Sequence, residues 1–217
     1  MGDWDIVIRY FDSYMRGLGY TVLASVLALV GSFVLGTVIA VFRITPSRAL
    51  RAAGTAYVEF IRNIPVLLVV YAFYWGLPLL GVTLDGFTCG TIGLTVYTAA
   101  FIAEAIRAGI LSVPKGQREA AEASGLTYVQ TMRYVILPQA VRIVIPPLSN
   151  QFINLVKNSS ILSVFAGFDL MYFGDQIAYE TYATVETYIY VAVFYLLLTL
   201  PLSYMSNRLE RRLSKAG

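Results

Sequence analysis

The sequence predicts an all-α integral membrane protein of five transmembrane helices, with the N-terminus outside and the C-terminus in the cytoplasm. Three observations carry that prediction. Of the 217 residues, 58% are apolar and only 13% are charged, far from a soluble average. The apolar residues gather into five stretches, most of them near the roughly 20 residues that a helix needs to cross the hydrocarbon. Lysine and arginine follow the first, third and fifth stretches and are missing from the alternate connections, as the positive-inside rule requires. The length suits one transmembrane domain and no second globular one: a tail over 1–16, a helix bundle over 17–206 and a basic cytoplasmic tail over 207–217.

The first uncharged stretch, Gly17 to Phe42, is longer than the roughly 7 to 15 residues of a signal-peptide core. Its preceding tail carries Asp3, Asp5 and Asp12, so it reads as a retained helix. The second, Asn63 to Leu84, contains Pro65 and Pro78 and leads into the turn-like GVTLDG. The third, Gly86 to Ala103, stops at Glu104 and Arg107, which are spaced to pair locally. The fourth, Ile136 to about Ala166, is seeded with Arg142, Asn150, Gln151, Asn154, Lys157 and Asn158, and Pro146 and Pro147 are expected to break it. The fifth, Thr187 to Ser206, is rich in Tyr and Leu and ends in NRLERRLSK.

Orientation follows from the cations. Arg43, Arg48 and Arg51 follow the first stretch, Arg107, Lys115, Arg118 and Arg133 the third, and Arg208, Arg211, Arg212 and Lys215 the fifth. The outer connections carry Asp85, then Asp169, Asp175, Glu180 and Glu186, with no Lys or Arg between Asn158 and Asn207. Tyr172, Tyr179, Tyr182 and Tyr188 suit an interfacial belt around a short amphipathic helix on the outer surface, and Trp4 and Trp75 suit interfacial anchors. Arg142 and Lys157 can snorkel to an interface.

Several chemistries lack their side chains. Histidine is absent and Cys89 is alone, which removes a disulfide framework, a His/Cys metal cluster and most nucleophile-plus-base arrangements. No GxxxxGK[ST] phosphate loop occurs, so any ATP and Mg are expected on a partner and no cofactor on this chain.

The connection after the third span is longer than a reversal needs. Pro114 is placed to open a helix through Gly116, Gln117, Glu119, Ala120, Ala121 and Glu122, and Gly125 to stop it in the left-handed region. A second amphipathic segment, Thr127 to Leu137, follows, and Pro138 marks the next break. The result is a helix-turn-helix elbow exposed to cytosol, over about 107–135. Two readings stand for it: a knob of small residues for another protein's groove, with Arg118 and Glu119 as polar anchors, or an amphipathic linker on the membrane surface.

The run Glu119-Ala120-Ala121, then Gly125, then Ile136-Leu137-Pro138 resembles the EAA motif of bacterial ATP-binding-cassette importer permeases, at that family's spacing. EFIRNIPVLLVVYAFYWGLP, AAFIAEAIRAGILSVPKGQREAA and ILPQAVRIVIPPLSNQFINLVKNSSILSV resemble its polar-amino-acid branch, related to histidine and glutamine importers. The likeness covers nearly the whole chain from Gly17. It implies a permease subunit in the bacterial inner membrane, paired with a second copy or a sister chain. Two separate ATPase subunits dock on it, and an extracytoplasmic solute-binding protein delivers the cargo. By the same resemblance the helix around Glu119 to Gly125 seats in a cleft of the ATPase, with Gly116 among the coupling residues and Ile136, Leu137 and Pro138 completing the motif.

Asn150, Asn154 and Asn158 recur at i, i+4 and i+8 along one face of the fourth span, with Gln151 and Ser159 adjacent. Polar groups in hydrocarbon either face a wet pathway or bond to neighbouring helices, and both readings stay open. A span beginning at Pro146 would bring Asn158 near mid-membrane. In the family the position after Lys157 is often aspartate in carriers of cationic amino acids; here it is Asn158, and together with Lys157 this tilts the cargo toward glutamine, glutamate or a similar polar amino acid. Glu59 and Arg62, one helical turn apart, form either a local ion pair or an inner gate that breaks and remakes it. The competing classes are a stand-alone secondary transporter or channel, which would usually show an internal inverted repeat that is absent here, and a membrane enzyme built on paired carboxylates. No feature points to nucleic acid.

Overall fold

The computed structural model describes residues 3–214, and every regular element among them is helical. The side chains of Asp3 and Trp4 and the whole of Lys215 lie outside the described residues. The chain opens with a short helix α1 (Asp3–Arg9), followed by α2 (Phe11–Ile44). Ile6 of α1 is buried beside Tyr14, Ile177 and Val191, so α1 is tied to the bundle's end.

Helix α2 is built inside out compared with a soluble helix. Its buried positions are small: Ala24, Ala28, Ser32, Gly36 and Ala40 recur every four residues. Val26, Val30, Phe33 and Val34 point outward and are exposed. In lipid the hydrophobic effect does not drive helices together, so close backbone approach through small residues takes its place. Gly36 shows how tight the approach is: a Cβ there would stand 2.8 Å from the Ala99 carbonyl oxygen and from Ile102. The partner is α6 (Gly86–Leu111), the central helix, which also packs against α3, α4 and α9. Asp85 caps α6, accepting from the Thr88 amide (3.0 Å) and hydroxyl (2.7 Å), and these donors hold its carboxyl below its ordinary value.

The third span does not end at Ala103. Helix α6 runs on to Leu111 because Glu104 is neutralised on both sides, by Arg107 one turn later (2.7 Å) and by Arg43 of α2, whose side chain is 7% exposed. The local Glu104–Arg107 pair is therefore present and extends across helices.

The stretch between the first two spans holds a helix that was not anticipated, α3 (Arg48–Arg62), amphipathic and buried at Gly54, Val58 and Ile61. Proline 65 separates it from α4 (Val66–Tyr74), which continues into α5 (Gly76–Leu79), and the two arms meet at 105°. The apolar second segment is thus shorter than Asn63 to Leu84, since a residue before proline is disfavoured in helix.

Two further expectations fail at prolines. Pro146 and Pro147 do not break the fourth segment: α9 (Leu137–Asn158) passes through both. Pro138 does not mark a break either; a π-helical turn over Met132–Ile136 leads directly into α9, and Pro138 sits in the first turn of α9. The membrane environment tolerates interior prolines where neighbouring groups satisfy the freed carbonyls. Helix α9 then tightens to 3-10 geometry over Ser159–Phe165, which ends at Ala166 with φ 53°.

Helix α10 (Leu170–Thr181) is the short helix expected in the last connection, and it buries Leu170, Gly174, Ile177 and Ala178 against α2 and α11 (Thr184–Ser214). Asp169 is no loop acid. It is fully buried at the α10 N-cap, accepting from the Met171 (3.1 Å) and Tyr172 (3.4 Å) amides, and burial pushes its carboxyl up to about 7. Tyr179 and Tyr182 at the following turn are 81% and 91% exposed. Among the described residues three helices are long and apolar enough to cross a membrane, α2, α6 and α11, and the bent α3/α4–α5 pair makes a fourth if read as one broken span.

Candidate functional site

Two places gather the residues singled out above. The first is the elbow. Helix α7 (Lys115–Ala123) starts at Pro114 and carries Gly116, Glu119 and Ala120 exposed, with Ala121 buried beneath them. Gly125 stands at φ 84°; its amide donates to the Glu122 carbonyl (3.0 Å), and the Leu126 amide donates to the Ala121 carbonyl (3.1 Å). This double closure is a Schellman stop, which requires a left-handed residue at that point. Helix α8 (Tyr128–Thr131) restarts at once: the Gln130 amide donates to Thr127 Oγ1 (3.4 Å), and the Thr127 amide donates to Gln130 Oε1 (2.9 Å). Val113, Ile136 and Ala140 form a buried cluster that fixes the elbow to the bundle. Ile136 is thus an anchor, while Leu137 and Pro138 stay exposed at the surface of α9. Arg118 pairs with Glu122 (2.8 Å) and lies over the Tyr128 ring. Glu119 enters no ion pair among the described residues and presents its carboxylate outward.

The second place is a cavity of about 460 Å³ between α6 and α9, lined by Tyr97, Phe101, Gln151, Asn154, Lys157 and Asn158. Of the six residues marked as a polar pathway in the fourth segment, Asn150, Gln151, Asn154, Lys157, Asn158 and Ser159, four meet there. The other two do not: Asn150 is exposed elsewhere on α9, and Ser159 is fully buried with its hydroxyl donating to the Val156 carbonyl (2.8 Å). Asn158 is the last residue of α9, about 30 Å of helix beyond Leu137, so the mid-span position inferred from a start at Pro146 loses its basis.

Glu59 and Arg62 are both exposed near the end of α3, and no ion pair joins them among the described residues. The Arg62 guanidinium lies instead 5.4 Å from the centroid of the Phe101 ring, a wall of the cavity, and Phe101 in turn packs on Tyr97 at 5.0 Å. A cation over an aromatic face is a favourable contact, and it draws Arg62 from its neighbour one turn away.

Residues 32–215 match the family model described as binding-protein-dependent transport system inner membrane component. The chain belongs to that family. It is 61% identical to the probable glutamine ABC transporter permease protein GlnM of Bacillus subtilis (strain 168), over 97% of this chain and 98% of the relative. It is 35% identical to the glutamine transport system permease protein GlnP of Escherichia coli (strain K12), over 97% of each. A crystal structure of an amino acid ABC transporter with histidines superposes with a TM-score of 0.91 at 36% identity, covering 95% of this chain and 96% of that one. The protein is therefore a type I ABC importer permease of the inner membrane, a transporter component and not an enzyme; ATP is hydrolysed by separate subunits.

Three contributors to this permease's sites escaped sequence reasoning. Tyr97 and Phe101 are spaced i, i+4 on an apolar helix, a spacing shared by ordinary core aromatics, so only the fold reveals that they complete the cavity. Arg43 lies sixty-one positions from Glu104. The sign that it would be buried was weak: a lone arginine at the end of a span, where snorkelling is the ordinary outcome.

Proposed function

We propose that this permease forms the translocation pathway of an ATP-driven importer for polar amino acids, with glutamine- or glutamate-like cargo favoured. The observation that carries the reading is the α6/α9 cavity, which presents two asparagines, a glutamine and a lysine beside two aromatic rings and no carboxylate. Amides donate to a carboxylate and accept from an ammonium, and so suit a zwitterion with a neutral or acidic side chain. Lys157 disfavours a cationic one. The names of the relatives, two of them glutamine permeases, agree with that chemistry.

Five spans then consist of α2, the α4–α5 arm, α6, α9 with its 3-10 extension, and α11. Helix α9 has the length, about 33 Å, and lacks apolarity only because one face is polar, as a pathway-lining helix requires. The N-terminus lies outside and the C-terminus in the cytoplasm. A second permease chain completes the pathway, two ATPase subunits bind ATP and Mg and receive the elbow around Glu119 to Gly125, and a solute-binding protein supplies cargo from outside. Closure of the ATPase dimer displaces the elbow as a rigid unit and switches access between the membrane faces. Arg62, held against the cavity wall, is placed to sense or gate that change, with Glu59 as its alternative partner.

Asn158→Asp tests the cargo assignment. A unit charge at close range, at an effective dielectric near 20, is worth roughly a few kcal/mol before solvation costs, enough to shift selectivity about tenfold or more. Substrate-stimulated ATPase activity, with the binding protein saturated or omitted, moves from glutamate toward arginine. An unchanged order among glutamate, glutamine and arginine in a folded variant assigns Asn158 to helix packing.

A further inference from the structure

At the end of α11 the structure holds a feature that the transport reading does not use: a groove of about 450 Å³ between α9 and α11. Phe152, Leu202 and Met205 give it apolar walls, and Arg208 and Arg212 stand at one end. Phe152 is rotated by about 100° around α9 from Gln151 and about 120° from Asn158, and the groove shares no lining residue with the pathway cavity. We propose that this groove binds one anionic phospholipid of the cytoplasmic leaflet, the arginines taking the phosphate and the apolar walls an acyl chain.

The geometry fits that occupant in three ways. Leu202 and Arg212 are ten residues apart on one helix, about 15 Å, which spans from the headgroup region into the hydrocarbon. Arg208 is exposed, and its guanidinium lies over the Tyr204 ring one turn earlier, 4.5 Å from the centroid. Among the described residues no ion pair engages Arg208 or Arg212, and the nearby Glu210 carboxylate is taken up by the Ser206 hydroxyl (3.2 Å). Two cations beside an apolar wall at a cytoplasmic helix end are the recognised setting for an anionic headgroup. A second copy seated with this groove on the two-fold axis would set arginines against arginines.

The proposal rests on the cytoplasmic placement of the α11 end, and its test separates the two. The intact permease complex is exposed to equal phosphatidylglycerol and phosphatidylcholine in detergent, and retained lipid is read by native mass spectrometry. Two arginines predict a preference for phosphatidylglycerol of about thirtyfold. Arg208→Gln with Arg212→Gln abolishes it at unchanged thermal stability, whereas Arg48→Gln with Arg51→Gln, exposed on α3, preserves it. Ser149→Phe, which fills the groove and keeps both arginines, also loses the lipid. Equal preference in wild type and the Arg208/Arg212 variant, or retention in a folded Ser149→Phe, overturns the site. Displacement by millimolar inorganic phosphate overturns the lipid in favour of a free anion. A disulfide between two permease chains through Met205→Cys, in a Cys89→Ser background, overturns it in favour of a second copy. Retention is blind to sidedness, so labelling of Arg212→Cys by an impermeant maleimide from outside overturns the leaflet alone.

Discussion

Gly125→Val probes the elbow at the point where its shape is decided. At φ 84° the residue sits in the left-handed region, and no heavy atom lies within 4 Å of where a Cβ would stand. Sterics with neighbours therefore contribute nothing, and the effect is confined to the backbone. An L-residue there costs about 1–2 kcal/mol, and a β-branched one belongs at the upper end because its χ1 is already restricted. If the backbone relaxes instead, the bonds to the Glu122 and Ala121 carbonyls open, at about 1 kcal/mol each. Both routes bias the elbow by about 2 kcal/mol, a factor of roughly thirty in its population. ATP-dependent uptake in proteoliposomes, with ATPase and binding protein present, falls in the order Gly125, Asn, Ala, Val, while membrane insertion is unchanged. Asparagine is placed second because it visits this region most readily among side chains that carry a Cβ. Wild-type uptake by Gly125→Val, or an equal loss for Gly125→Asn and Gly125→Val, refutes the link between left-handed backbone and coupling.

Glu104→Gln removes the carboxylate shared by Arg43 and Arg107 and leaves Arg43 at 7% exposure without a counterion, so thermal unfolding of the detergent-solubilised permease shifts down by the equivalent of about 3 kcal/mol; an unchanged midpoint contradicts the clamp. Asp169 gives a pH signature. Its folded value of about 7 lies above the ordinary 3.8, so the folded state holds the proton more tightly: its contribution to stability is fully present below about 4 and is lost as pH rises through about 7. With no histidine in the chain, thermal stability declines between about pH 5 and 7 by up to about 1.4 kcal/mol per unit from this group and levels off above that, and Asp169→Asn flattens the decline; identical slopes contradict the burial.

Much of this fold was legible because membrane segments obey few rules. Apolar length located α2, α6 and α11, and the Pro114 and Gly125 punctuation located α7 with its stop. Proline misled in α9, since the rule that it breaks helices is drawn from water, whereas Pro146 and Pro147 sit in a continuous helix. Helix α3 was hidden by its polarity: its charges belonged to the orientation pattern and masked an amphipathic face ending at Ile61. The spacing of Asn150, Asn154 and Asn158 marked a face of the fourth segment, but helix periodicity alone does not say which polar residues reach a cavity. Gln151, Asn154, Lys157 and Asn158 do; Asn150 and Ser159 do not. Asp169 and Arg43 depended on partners distant in sequence, and no local pattern marks such burial.

On the reading proposed above, this chain moves its cargo only under the power of a partner. This is tested most directly by reconstituting the purified permease in proteoliposomes with saturated binding protein and labelled glutamine outside, and following accumulation with and without the ATPase subunits and ATP. Accumulation against a gradient is expected only when ATPase and ATP are both present, whatever proton or sodium gradient is imposed. Concentrative uptake by the permease alone, driven by either ion, would contradict it.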